Sequence, residues 1–346
     1  MTSVEASAPG KLVLTGEYAV LEGAAAMSAA VNKRAVVVIR PRSVDYSELH
    51  IANSGERFRF TLSSRGVPDW LESPGNMGAL LESVLRQINS HVDPADRDLP
   101  ISVSLDTRDF YTADAQGKSV KAGIGSSAAL AVALTAGLMK YWSCEPDFGV
   151  SARAHRDFQQ GKGSGIDVVT SWHGGVVAQH AKAHDEQRIT QLGWLPGLHI
   201  LPVWTGVPAS TPARLEKLAG FAAHSAAIYR ELIARMSESS AAALACWQAR
   251  DVVGFIQQIE VYAELLSELD AATRIGIWSD AHRQLQSLVA DCGATYKPSG
   301  AGGGDYGLAF AAEAGQLTSL RAVLAERGVS AQAPDWATQG LQLAVN

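Results

Sequence analysis

The chain has 346 residues, of which 47% are hydrophobic and 18% are charged, with a formal net charge of −6. This composition excludes a disordered or low-complexity protein, and the scattered Lys and Arg residues exclude a broad nucleic-acid-binding or membrane-binding face. The N-terminus lacks the pattern of a signal peptide and no apolar run approaches the about 20 residues of a membrane span, so we expect a cytoplasmic globular protein.

The first half of the chain mixes strands and helices. A short apolar strand follows Lys11 and stops at Gly16, and β-branched or alternating residues predict strands over 33–42 and 101–106. Helical spacing predicts one helix over 77–88 and a second, far less polar helix over 126–140.

The second half is dominated by helices. Residues 199–206 are predicted to form a strand, and Thr211 followed by a proline is typical of a helix start. A stripe of apolar residues over 252–269 predicts a core-facing helix, followed by a strand over 305–312 and a last helix over 316–328.

A charged segment over 180–191 separates the two halves. We place a domain boundary near residue 185, giving predicted domains of residues 1–185 and 186–346. The fold class predicted by this order of elements is α/β, of the mixed α+β kind.

The stretch KAGIGSSAALAV, residues 121–132, has features of a phosphate-binding loop. Gly123 and Gly125 permit unusual backbone dihedrals, Ser126 and Ser127 offer a helix cap or metal-binding hydroxyls, and Ala128 allows close packing. Because the helix that follows presents a partial positive charge at its N-terminus, an anion is favoured there. An ordinary capped helix is the alternative interpretation.

Two better-known nucleotide motifs do not fit this region. The GKS at 117–119 has Thr112 where a P-loop requires its first glycine. The GxGxxA pattern of GIGSSA is not preceded by a buried strand, as a dinucleotide-binding turn requires.

Two further segments are rich in glycine. APGKLVLTGEYAVLEG occupies residues 8–23, and KPSGAGGGDYGLAF occupies residues 297–310. Glycines between a proline and a strand form a flexible turn or let the backbone approach a ligand closely. The presence of three such segments in one chain favours a binding site.

In this order the three segments resemble the motifs of the GHMP kinases, the family of galactokinase, homoserine kinase, mevalonate kinase and phosphomevalonate kinase. The resemblance covers most of the chain, and Ile124 replaces the leucine of the family's GLGSSAA. It implies the GHMP kinase fold, with a ribosomal protein S5 domain 2-like N-terminal domain, a ferredoxin-like C-terminal domain and a site between them. It also implies ATP and Mg²⁺.

The resemblance implies roles for particular residues. The segment GKGSGIDVVTSWHGG, residues 161–175, places the family's catalytic aspartate at Asp167, with Lys11 keeping it ionised. Without the resemblance, an Asp in this context is a turn or cap residue. The loop over 123–128, with Ile124 inside it, is expected to hold the nucleotide phosphates. Ser126 or Ser127 is expected to help place Mg²⁺, and the sequence leaves the choice open.

The acceptor pocket is less well defined by the sequence. Family resemblance puts Glu17 and Tyr18 in it, and Ser210 and Thr211 are candidates for binding an acceptor phosphate or carboxylate. The close backbone approach allowed by Gly302 and Gly303 makes them further substrate-binding candidates. One or more of the flanking cationic side chains is expected to pair with an acceptor phosphate: Lys118, Lys121, His155, Arg156 and Lys162.

WTGVPAST at 204–211 and KPSGAGGGDYG at 297–307 resemble phosphomevalonate kinases more than mevalonate kinases. The resemblance therefore implies phosphorylation of (R)-5-phosphomevalonate to 5-diphosphomevalonate in the mevalonate pathway of isoprenoid biosynthesis. A mevalonate kinase, another small-molecule alcohol kinase and an inactive GHMP-fold ligand sensor are the alternatives. The expected state is a monomer or homodimer without nucleic-acid or membrane partners.

Overall fold

A computed structural model describes residues 2–63, 66–93, 99–114, 116–180, 189–209, 211–329 and 335–346. Mixed sheets and packed helices make up the described part of the chain, which confirms the predicted fold class. Within those residues, no helix is both long enough and apolar enough to span a membrane.

The strands run in chain order and are numbered accordingly. They are β1 (Val4–Thr15), β2 (Ala26–Pro41), β3 (Ser47–Ile51), β4 (Glu56–Leu62), β5 (Pro68–Trp70), β6 (Ile101–Asp106), β7 (Tyr111–Ala113), β8 (Ser119–Lys121), β9 (Val176–Gln179), β10 (Ile189–Leu192), β11 (His199–Trp204), β12 (Thr295–Pro298), β13 (Tyr306–Ala311) and β14 (Gln342–Val345).

Most of the α-helices follow one another in two groups, one after β8 and one after β11. They are α1 (Ala79–Ile88), α2 (Ser126–Tyr141), α3 (Phe148–Phe158), α4 (Ile166–His173), α5 (Thr211–His224), α6 (Ala226–Gln248), α7 (Val252–Thr273), α8 (Asp280–Asp291) and α9 (Ala314–Glu326).

Strand β2 is the centre of a nine-stranded sheet with the order β10-β9-β2-β6-β3-β4-β5, and β1 pairs with both β2 and β14. The predicted strands over 33–42 and 101–106 are confirmed as parts of β2 and β6, which pair antiparallel. Among the pairings of this sheet only β3 with β6 is parallel.

Helix α2 packs on β1 and β2 and is buried along almost its whole length. Its low polarity follows from that position, because α1, α3 and α4 cover the sides that the sheet leaves open. The predicted helix over 126–140 is therefore confirmed. The helix predicted over 77–88 begins at Ala79, because a short 3₁₀ turn, Gly75–Met77, precedes it.

The second half of the chain surrounds a three-stranded antiparallel sheet with the order β11-β13-β12. Helix α7 confirms the apolar stripe, with Phe255, Ile259, Tyr262 and Leu266 buried. The helices α5 and α9 likewise confirm the helix starting at Thr211 and the predicted last helix.

The boundary predicted near residue 185 lies outside the described residues. Strand β10, which follows it, pairs with β9 in the large sheet. The terminal strand β14 also joins that sheet, through β1. The large sheet therefore takes strands from both sides of the predicted boundary.

A buried ion pair joins the first and third glycine-rich segments. The Glu17 side chain, which follows β1, contacts the ammonium group of Lys297 on β12. Side-chain exposure is 2% for Glu17 and 0% for Lys297. Burial lowers the pKa of Lys297, and the adjacent Glu17 carboxylate opposes that shift. Each charge is tolerated in this position because the other one is present.

We expect Lys297→Met to lower the thermal unfolding midpoint by about 5–15 °C, because it leaves the Glu17 carboxylate buried without its cation. The double variant Glu17→Leu/Lys297→Met removes both charges and should unfold at a higher temperature than the single variant. Thermal unfolding followed by circular dichroism measures both shifts. A double variant no more stable than Lys297→Met would show that charge pairing is not the reason for the loss.

Candidate active site

The loop between β8 and α2 is held against the first strand. Ile124 is buried, and its carbonyl oxygen accepts a hydrogen bond of 2.8 Å from the Lys11 backbone N–H. Gly125, in the left-handed conformation with φ of 84°, is the N-cap of α2. The loop therefore has partly exposed backbone and the helix N-terminus on the side where the three glycine-rich segments come together, which we call the cleft, while the Ile124 side chain packs in the core.

The side chains of Lys11 and Asp167 both lie beside Gly125. A Cβ atom added to Gly125 would lie 3.3 Å from Lys11 Cγ and 3.8 Å from Asp167 Cβ. The pairing of β1 with β2 is irregular between Pro9 and Gly10 and again after Val13, so bulges flank Lys11 on both sides. Bulges of this kind redirect side chains, and here the Lys11 side chain lies along the loop.

Asp167 lies in the first turn of α4, after Gly165 in the left-handed conformation. Its Oδ1 atom accepts a hydrogen bond of 3.0 Å from the Val168 backbone N–H. A carboxylate at this end of a helix is favoured by the partial positive charge there. Asp167 and Lys11 are both half-buried, so both remain accessible from the cleft.

The two serines of the loop have different surroundings. Ser127 Oγ lies 3.2 Å from Nε2 of His155, a buried residue on α3, and the two groups share a hydrogen bond. Ser126 is half-buried and makes no side-chain hydrogen bond to any described residue. The Ser127 hydroxyl is thus bonded within the protein, whereas the Ser126 hydroxyl is available to another group. His155 contacts Ser127 from the core side of the loop.

The triple-glycine segment forms a turn packed against the helical half of the protein. Gly302 is buried, and the Gly303 backbone N–H donates a hydrogen bond of 2.7 Å to the Ile277 carbonyl. Gly304 O accepts from His282 Nε2 at 3.0 Å. Burial lowers the pKa of His282 to about 4, so its imidazole is neutral and carries its proton on the nitrogen that faces this carbonyl.

Asp305 connects this turn to the loop before α2. Its Oδ1 accepts a hydrogen bond of 2.9 Å from the Ala209 backbone N–H. A Cβ atom added to Gly123 would lie 2.0 Å from Asp305 Oδ2, so the carboxylate rests directly on the loop. Burial raises the pKa of Asp305, whereas the Ala209 hydrogen bond and the positive charges of Lys11 and Arg214 lower it.

Glu17 and Tyr18, which were predicted to line the acceptor pocket, make contacts within the protein that the sequence did not indicate. Glu17 pairs with Lys297, and its backbone carbonyl accepts from Tyr262 Oη at 2.7 Å. Tyr18, which is also buried, donates from its hydroxyl to Ala301 O at 2.6 Å. These two side chains hold the first segment against the third one.

Ser210 lies outside the described residues, and Thr211 is the first residue of α5. The other cationic candidates are exposed: Lys118, Lys121, Arg156 and Lys162.

Sequence reasoning missed Asp305 and Arg214. Asp305 directly follows the three glycines. Its place next to a turn whose backbone can approach a ligand was the signal that could have identified it. Arg214 lies in the first turn of α5 and carries no local motif; only the folded chain brings its guanidinium to Gly303.

The comparisons with known proteins agree with this geometry. Residues 110–175, which include the loop, Lys121 and Asp167, match the sequence model of the GHMP kinases N terminal domain. The chain is 26% identical over 343 residues to a phosphomevalonate kinase of Streptomyces sp. (strain CL190), covering 88% of each chain. It is 27% identical over 346 residues to a mevalonate kinase of Mus musculus, covering 87% of this chain and 84% of that one.

A solved structure shares the fold over its full length. The Streptococcus pneumoniae phosphomevalonate kinase in complex with phosphomevalonate and AMPPNP superposes with a TM-score of 0.75. The identity is 20%, and the match covers 97% of this chain and 100% of that one. The shared fold thus extends over nearly the whole chain, and the sequence match to the GHMP kinases N terminal domain lies within it at residues 110–175.

Proposed function

We propose that the chain is an ATP-dependent kinase that phosphorylates (R)-5-phosphomevalonate to give 5-diphosphomevalonate. The observation that carries the proposal is that Lys11 and Asp167 both lie beside Gly125, at the N-terminus of α2. The choice of acceptor is supported by the 26% identity to a phosphomevalonate kinase over most of both chains. Mevalonate kinase is the second candidate, because such an enzyme matches at a similar level.

The loop fits the phosphates of ATP. Phosphoryl groups are bound well by backbone N–H groups at a helix N-terminus, where no side chain fills the space. Gly125 provides that space, since a Cβ atom there would contact the Lys11 side chain. Lys11 adds a positive charge that can stabilise the negative charge on the transferred phosphoryl group.

The residues present also fit Mg²⁺, which prefers oxygen ligands and keeps several waters. Ser126 offers a hydroxyl, and Asp167 offers a carboxylate oxygen on the adjacent helix. Among the described residues there is no cluster of three or more His, Cys, Asp or Glu side chains, so the protein would supply few of the ligands. When bound, Mg²⁺ would neutralise negative charge on the phosphates.

The acceptor determines what Asp167 must do. A phosphate monoester has a second pKa of about 6 and presents an anionic oxygen at neutral pH, whereas an alcohol must lose a proton as it reacts. With phosphomevalonate, Asp167 would orient Lys11 and the metal. With mevalonate, it would have to accept the hydroxyl proton.

The reaction itself is tested by ADP release from Mg-ATP with phosphomevalonate and mevalonate offered in parallel. We expect turnover of phosphomevalonate alone. Turnover of mevalonate alone would overturn the acceptor assignment and keep the kinase. Silence with both acceptors, together with retained ATP binding, would instead favour an inactive ligand sensor.

Asp167→Asn should lower kcat for phosphomevalonate by about 10–100-fold, less than the about 10²–10⁴-fold that a general base contributes. In wild type and variant alike, activity should rise as pH increases through about 6, because the acceptor's own phosphate ionises there. Steady-state kinetics at saturating substrates between pH 5 and 8 measure both effects. A loss above about 10³-fold with unchanged KM values would identify Asp167 as an obligatory base.

Gly125→Ala should weaken ATP binding about 10-fold or more, because the added methyl group displaces Lys11 from the loop. Gly117→Ala is the matched control: Gly117 has φ of 76°, and a Cβ atom there meets nothing within 4 Å. Both substitutions carry the left-handed strain of about 1–2 kcal/mol. Titration with a fluorescent ATP analogue distinguishes them, and equal losses in the two variants would attribute the effect to strain alone.

A further inference from the structure

The Arg214 guanidinium reaches the cleft across the triple-glycine turn. Its Nη2 atom lies 1.6 Å from the position that a Cβ atom of Gly303 would occupy, so any side chain at residue 303 would displace it. Its Nε group donates to the Gly276 carbonyl at 3.4 Å, a long hydrogen bond. The guanidinium plane therefore lies against the backbone of two glycines and its position is set by the absence of side chains there.

Groups from the first and third glycine-rich segments face this guanidinium. Arg214 acts electrostatically on the Tyr18 phenol, whose pKa is raised by burial, and it lowers the pKa of the Asp305 carboxyl. It also opposes protonation of the buried His282. Arg214 is thus half-buried and lies between the triple-glycine turn and groups of the first glycine-rich segment.

Two cations act on Asp305 and lie at different glycines of the third glycine-rich segment. The Lys11 side chain passes Gly125, and its Nζ lies 4.0 Å from the position that a Cβ atom of Gly300 would occupy, whereas Arg214 lies at Gly303. Both act on Asp305, so neither is required to neutralise that carboxylate by itself. Arginine has several N–H donors in a planar fork and can serve one carboxylate while it binds another.

We propose that Arg214 binds the carboxylate of the acceptor and so determines which acceptors the enzyme uses. This inference rests on the proposed function, whose acceptor has a phosphate at one end and a carboxylate at the other. The reacting phosphate belongs beside Lys11 and Asp167, and the carboxylate then extends toward Gly303 and the guanidinium. Because mevalonate has the same carboxylate, the inference holds for either candidate acceptor.

The test compares acceptors with and without the carboxylate. Phosphomevalonate is paired with 3-hydroxy-3-methylbutyl phosphate, which retains the phosphate, the tertiary hydroxyl and the branched carbon but lacks the carboxylate. For Arg214→Gln we expect kcat/KM for phosphomevalonate to fall about 30-fold or more, mainly through KM, because a charged hydrogen-bonded pair is lost. The value for 3-hydroxy-3-methylbutyl phosphate and the KM for ATP should stay within about 2-fold.

Two further variants separate recognition from stability. Lys217→Gln alters an exposed cation on the same helix and should leave every kinetic constant unchanged. Arg214→Lys keeps the charge and loses the planar fork, so we expect its kcat/KM for phosphomevalonate to lie between the values of wild type and Arg214→Gln. Thermal unfolding midpoints identify any variant that is only misfolded.

The outcomes decide the question. Equal losses on both phosphates would mean that Arg214 contacts the phosphate or only supports the cleft, and would overturn the proposal. So would a wild-type enzyme with no preference for the carboxylate-bearing acceptor. If wild type uses mevalonate and not phosphomevalonate, the proposed function fails, and the same comparison with mevalonate and 3-methylbutane-1,3-diol still decides the role of Arg214.

Discussion

The close approach of the first strand to the loop before α2 is the constraint on which the site depends. The hydrogen bond from Lys11 N to Ile124 O fixes the separation of the two backbones. Within that separation the Lys11 and Asp167 side chains both lie beside Gly125, whose missing side chain leaves room for them. Bulges in β1 on both sides of Lys11 give the strand the local twist that this approach requires.

Several buried contacts stabilise this approach of the first strand to the loop before α2. The Glu17 and Lys297 pair and the Tyr18 hydroxyl join the first segment to the third, and His155 holds Ser127 on the core side of the loop. None of these groups has to touch a substrate. They restrict the motion of the backbone segments that would contact a substrate. Enzymes that act by positioning and charge neutralisation depend on such rigidity.

Local pattern predicted the elements well, because periodicity and glycine content are properties of neighbouring residues. Helices α2 and α7 could be recognised from their apolar residues alone, whereas the role that the motif assigns to Asp167 stays a prediction. The positions of Arg214 and Asp305 depend on contacts between segments about 90 residues apart, which no window of sequence contains. Burial of Glu17 was missed for the same reason, since a carboxylate in a glycine-rich segment suggests a ligand contact until its distant cation is seen.

The neutral imidazole of His282 makes the stability of the fold depend on pH. The folded protein holds this ring unprotonated, with a pKa of about 4 against an ordinary value of 6.5, because burial and the nearby Arg214 and Lys297 charges disfavour the cation. The unfolded chain takes up a proton as the pH falls below 6.5, while the folded chain does not, so stability declines from there toward pH 4. The ring that donates to the Gly304 carbonyl of the triple-glycine turn is therefore also a group through which acid lowers the free energy of unfolding.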